Sequence, residues 1–78
     1  MEDRELTFGE KMVRVDFNPS ADVLVNQIKK AYALVIDSLD ALRNFNEPGG
    51  EEIKRLCSVA ITQAEGACMW AVKAITCK

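Results

Sequence analysis

The sequence contains no histidine. That removes the commonest general base and the usual activator of a serine or cysteine nucleophile, so Ser20, Ser38 and Ser58 have no triad partner. The three cysteines, Cys57, Cys68 and Cys77, form no CxxC pair. An odd number at these spacings is no disulfide framework, and without histidine it is no zinc site. No GxxxxGK[ST] follows the single glycine pair, which excludes a phosphate loop of that type. No run of apolar residues approaches the length of a membrane span. The first residues, MEDRELTFGEK, are charged and lack the apolar core of a signal peptide. With unpaired cysteines, this sets the expectation of a reducing cytoplasm. The formal net charge of -2 gives no global positive field to hold DNA or RNA.

Apolar residues are plentiful, at 49% of the chain, so the sequence is built to fold. Yet 78 residues bury only a small core. Such chains need a disulfide, a metal or oligomerisation, and the first two have just been excluded. The expectation is a homo-oligomer.

Two long helices are predicted, in an all-α antiparallel hairpin with a short N-terminal arm. The arm is assigned residues 1–17 and the hairpin residues 18–78 of one domain. In the arm, Val13, Val15 and Phe17 alternate with Arg14 and Asp16, which reads as an extended segment; a helical turn around Glu10–Val13 fits equally. Asn18-Pro19-Ser20 reads as a helix start. The first helix should run from about Ser20 to Arg43 or Asn44, a rod of about 36 Å. Leu24, Ile28, Ala31, Val35, Leu39 and Leu42 recur at helical spacing and read as its core stripe. Val23, Val25, Tyr32, Leu34 and Ile36 are left over, and that second apolar face must meet another copy or the arm. Asn46-Glu47-Pro48-Gly49-Gly50 turns the chain. The second helix covers roughly Glu51 to Thr76, with Glu51 and Glu52 at its positive end and Lys73 and Lys78 at its negative end. Its seam reads Ile53, Cys57, Ala60, Ala64, Ala67, Ala71, Ala74, nearly all small, and another edge carries Leu56, Val59, Met69, Trp70 and Val72. Gly66 in mid-helix costs about 1 kcal/mol against alanine, which implies a close approach there by a neighbour or a ligand. Cys68, beside Met69 and Trp70, is expected to be buried and inert. Asp37 and Asp40 lie three apart and read as solvated acids rather than a catalytic pair.

What remains is a set of groups suited to anions. Lys29 and Lys30 are adjacent in the first helix; Lys54 and Arg55 open the second. Ser58 and Thr62 follow Arg55 on nearly one face. Arg14, Phe17 and Asn18 precede the first helix, and Phe17, Tyr32 and Trp70 supply aromatic faces. Each basic pair alone is an ordinary solvated surface. Together with hydroxyls and aromatic rings they match a nucleotide, whose phosphates take charge-assisted bonds and whose bases stack.

The segment RLCSVAITQAEGACMWAVKAIT resembles the second helix of the small helical-hairpin domain of phage anti-CBASS and anti-Thoeris sponge proteins. The shared features are Lys54 and Arg55, then Ala60-Ile61-Thr62, Glu65, and Met69-Trp70-Ala71. The stretch DFNPSADVLVNQIKKAYA resembles the family's aromatic-polar-Pro approach to a helix with early basic residues. The resemblance covers about residues 16–76 and leaves the first fifteen outside. It implies a protein that is not an enzyme and needs no cofactor or metal. Such a protein sequesters cyclic nucleotide second messengers, whether cyclic di- or trinucleotides or cyclic ADP-ribose derivatives, in the host bacterial cytoplasm. It implies a hexamer with ligands held between protomers, and neither nucleic acid nor membrane as partner. It places Phe17, Asn18, Lys29 and Lys30 at one pocket, and Arg55, Ser58 and Thr62 at another; the reading of the residues themselves adds Tyr32 as a further ligand-binding aromatic. The alternative is a small helical structural or adaptor oligomer with no nucleotide ligand.

Overall fold

A computed structural model describes residues 5–45 and 48–77. Asn46 and Glu47 of the expected turn, and Lys78 at the expected helix end, lie outside the described residues. Three helices follow in order: α1 Phe8–Val13, α2 Val23–Arg43 and α3 Gly50–Thr76. Among the described residues there is no strand, and no helix is long and apolar enough to cross a membrane.

Within the described part of the arm, Phe8–Val13 is helical, not extended. A capping box starts α1: Thr7 Oγ1 accepts from the Glu10 amide at 3.0 Å, and the Thr7 amide donates to Glu10 Oε1 at 2.9 Å. The helix ends at Arg14, which adopts the left-handed conformation (φ 54°) and donates its amide back to the Glu10 and Lys11 carbonyls. Next, Asn18-Pro19-Ser20 forms a turn and does not cap α2. Asp22 does, accepting from the Leu24 amide at 2.9 Å. Ala21, at φ 58°, closes that turn. At the other end of the hairpin, Gly49 (φ 79°) supplies the left-handed residue before α3.

The two long helices run antiparallel. Arg43, at the end of α2, donates to Ser58 Oγ near the start of α3 at 3.1 Å, while Lys29 and Val72 line one cavity at the opposite end. Their contact line differs from the expected one. On α2 the buried residues are Val25, Lys29, Ala33 and Ile36, with Ile28, Tyr32 and Leu39 packed alongside. On α3 they are Cys57, Ile61 and Cys68, with Ala64 and Val72. A lysine within the line hides it from any count of apolar residues. Of the sequence-derived stripe, Ile28 and Leu39 join the core, but the rest faces elsewhere: Leu24, Val35 and Leu42 are each about half exposed (48%, 48% and 47%), and Ala31 is exposed too.

Helical geometry places these stripes. At 3.6 residues per turn, Leu24, Ala31, Val35 and Leu42 lie roughly a third of a turn to one side of the Ile36 direction. Ala33 and Asp37 lie to the other side. Antiparallel partners have mirror-related flanks, so Ile53, Ala60, Ala67 and Ala71 of α3 continue the Leu24 face. α1 sits on the opposite face, because Gly9 lands on Ala33 and Asp37. One face of the hairpin therefore carries α1, and the other is bare and apolar.

The shape agrees. The chain measures 46 × 31 × 12 Å, with a radius of gyration of 14.1 Å. A compact chain of this length would have about 11.5 Å. It exposes 5776 Å², against about 4,700 Å² for a compact monomer of its mass. The excess, about 1,000 Å², exceeds the share one partner contributes to a standard interface, about 800 Å².

Gly9 is where α1 docks. Its amide donates to Asp37 Oδ1 at 2.6 Å, so Asp37 is a structural acceptor rather than a solvated acid. A Cβ there would lie 2.2 Å from the Ala33 carbonyl oxygen. Gly66 is the opposite case, with nothing within 4 Å of an added Cβ, so no close approach within the chain requires it. Gly9→Ala should therefore cost about 1–3 kcal/mol in urea unfolding through overpacking, whereas Gly66→Ala should gain up to about 1 kcal/mol from helix propensity. Equal effects from the two substitutions would refute this docking.

Candidate functional site

A concavity with a mixed lining lies on the α1 face. It holds about 400 Å³ and is lined by Met12, Val13, Arg14, Phe17, Lys29, Glu65, Cys68, Met69 and Val72. Its walls are the end of α1, the turn after it, the first half of α2 and the second half of α3.

Lys29 organises it. The residue is only 7% exposed, and no carboxylate among the described residues pairs with it. Its Nζ donates to the Arg14 carbonyl at 2.9 Å and to the Phe17 carbonyl, and sits 5.5 Å from the centre of the Phe17 ring. A buried ammonium is costly unless hydrogen-bonded. Here two carbonyl dipoles and an aromatic face compensate it. The left-handed backbone at Arg14 turns that carbonyl inward. Two of the three Nζ donors are thus used internally, and one is left for the cleft. Burial pushes the Cys68 thiol pKa up, and the nearby Lys29 charge opposes this only in part. Cys68 is accordingly a buried thiol of low thiolate content, as expected from its neighbours.

The other sequence-derived residues divide. Phe17 and Lys29 share the cleft. Asn18, Lys30 and Tyr32 do not line it. The Asn18 amide is used locally: Nδ2 donates to the Asp22 carbonyl at 2.9 Å and to Asn26 Oδ1 at 3.1 Å, and Oδ1 accepts from Ser20 Oγ at 2.7 Å. Lys30 is exposed on the outer side of α2, and Tyr32 is half-buried against the core. Arg55, Ser58 and Thr62 do come together, with Val59 and Gln63, around a shallow depression on α3. Arg55 there is held by Glu52, through Nε at 3.1 Å and Nη2 at 2.7 Å. That pair lowers the Glu52 pKa and raises that of Arg55. Asp40 likewise pairs with Arg43 at 2.8 Å.

The lining thus joins Phe17, two cations and a carboxylate. A family model described as the Acb2/Tad1 hairpin domain matches residues 10–76. The chain belongs to the Acb2/Tad1 hairpin-domain family, the anti-CBASS/anti-Thoeris sponges. No curated protein and no solved structure matches it. The family match begins at residue 10, upstream of the resemblance legible near residue 16, so it takes in the end of α1 and the whole turn that Lys29 holds.

Sequence reasoning missed Arg14's backbone role, Glu65's position in the cleft and the contribution of Met12 and Met69. The Thr7–Glu10 spacing of a capping box was the available signal for α1. Nothing local marked Lys29 as buried. Its removal should therefore act on folding first. Lys29→Met, which fills the volume but takes the ammonium from the Phe17 carbonyl and leaves the Arg14 carbonyl only the Phe17 amide, should lower stability by about 1–3 kcal/mol in denaturant unfolding. Unchanged stability would show that the ammonium does not hold the turn.

Proposed function

We propose that this protein sequesters a cyclic nucleotide second messenger of bacterial anti-phage immunity and does not degrade it. The observation that carries the reading is the joint lining of one cleft by Phe17, Arg14 and Lys29 in a member of the sponge family. Phe17 is 60% exposed and offers a face for a base. Arg14 and the remaining Lys29 donor offer charge-assisted bonds to phosphate. The depression at Arg55, Ser58 and Thr62 is a second ligand position, reached once Glu52 releases its arginine.

A volume of about 400 Å³ is near the low end for small-molecule sites, which run about 300–1,000 Å³ and bury most of their ligand. One chain encloses only part of a cyclic dinucleotide. A second copy supplies the rest, and the bare apolar face supplies the means of assembly into a homo-oligomer, with a hexamer the proposed size. Nanomolar retention needs about -12 kcal/mol. Two or three stacked bases at about 1–3 kcal/mol each and as many phosphates at about 1.5–3 kcal/mol per charge-assisted bond reach that range without any chemical step. A structural or adaptor oligomer would use the same apolar face but leave the cleft without a ligand.

Two experiments separate these readings. Native mass spectrometry with a mixture of cyclic nucleotides should show an oligomer carrying intact ligand. Arg14→Gly keeps the left-handed backbone but removes the guanidinium, so it should fold and bind about ten- to a hundredfold more weakly, as loss of one charge-assisted bond requires. Parent-like binding would exclude Arg14 from the site. Val35→Glu places a charge on the bare face and should yield monomers in sedimentation velocity; a parent that is itself monomeric at micromolar concentration would overturn the assembly.

A further inference from the structure

Glu65 is out of place in an anion-binding cleft. It is half-buried and lines the same cavity as Arg14 and Lys29. Yet it makes no hydrogen bond or ion pair with any described residue. Its own helix gives it no cation either: the positions three and four residues away are Thr62, Ile61, Cys68 and Met69. Intrahelical pairing, the ordinary reason for a glutamate on a helix, does not account for it.

Resting on the nucleotide reading of this cleft, we infer that Glu65 reads the base and makes the site selective for guanine. A carboxylate repels phosphate, so the phosphate belongs at Arg14 and Lys29, and the group that meets Glu65 must be a donor. An ionised carboxylate accepts only, through two oxygens. Guanine presents two parallel donors on its Watson–Crick edge, N1–H and the exocyclic N2–H, and so forms the fork that carboxylates make with planar donors. Adenine and cytosine place a ring lone pair beside their single amino group, and that lone pair faces the second carboxylate oxygen. Uracil offers one donor between two acceptors. Phe17 and Met69 line the same cavity and supply flat apolar contact for the base.

The test is calorimetric titration of the full chain with cyclic di-GMP and with cyclic di-AMP, for the parent and for Glu65→Gln. The substitution keeps size and helix propensity, so the fold is retained. The parent should bind cyclic di-GMP at least tenfold more tightly than cyclic di-AMP. Glu65→Gln should weaken cyclic di-GMP at least tenfold and leave cyclic di-AMP equal or tighter, because an amide pairs with the donor–acceptor edge of adenine. A parent that prefers cyclic di-AMP, or a guanine-to-adenine ratio that the substitution does not move, overturns the role of Glu65 while leaving the cleft as a nucleotide site. A parent that binds neither compound overturns the inference, and the reading of the cleft falls with it if cyclic trinucleotides and cyclic ADP-ribose derivatives are not bound either.

Discussion

One buried ammonium organises this protein. Lys29 bridges the carbonyls of Arg14 and Phe17, which lie on the far side of the turn from its own helix. The bond anchors a short helix that could not persist alone, since a single turn and a half costs more to nucleate than it returns. Docking of α1 on Gly9 and the Lys29 bridge act at its two ends. Between them they hold α1 on one face of the hairpin and raise a wall for the cleft. The same lysine lines that cleft, so under the proposed function folding and ligand chemistry draw on a single residue.

The second constraint is geometric. Two long helices share only one contact line, and each carries more apolar surface than that line covers. α1 covers part of one face. The remaining face, from Leu24 to Leu42 on α2 and along the small residues of α3, stays open. A layer 12 Å thick has no interior beyond that line. Under the proposed function, assembly and ligand enclosure are two results of one shortage: a chain too thin to bury its own surface is also too thin to surround a messenger.

Much of this was legible in the residues. Two long helices, the short turn and the burial of Cys68 follow from periodicity, glycine placement and composition, and the resemblance of the second helix identified the family. The core line was misassigned for a specific reason. Leu24, Ala31, Val35 and Leu42 form a cleaner apolar stripe than Val25, Lys29, Ala33 and Ile36, because the true line includes a charge and a small residue that admits α1. The helical arm was one of two open readings, and its capping box at Thr7 and Glu10 was the signal that distinguishes them.

The sequence by itself determined that the chain is helical, hairpin-shaped and short of core, because periodicity and turn chemistry act over a few residues. Only the tertiary structure decided which stripe is buried, that Lys29 and not Lys30 faces inward, and that Phe17, Arg14 and Glu65 meet. Those facts depend on where a carbonyl from one segment lands against a side chain from another. No local pattern encodes that encounter, because the residues that make it are distant along the chain and meet only when α1 folds back onto α2.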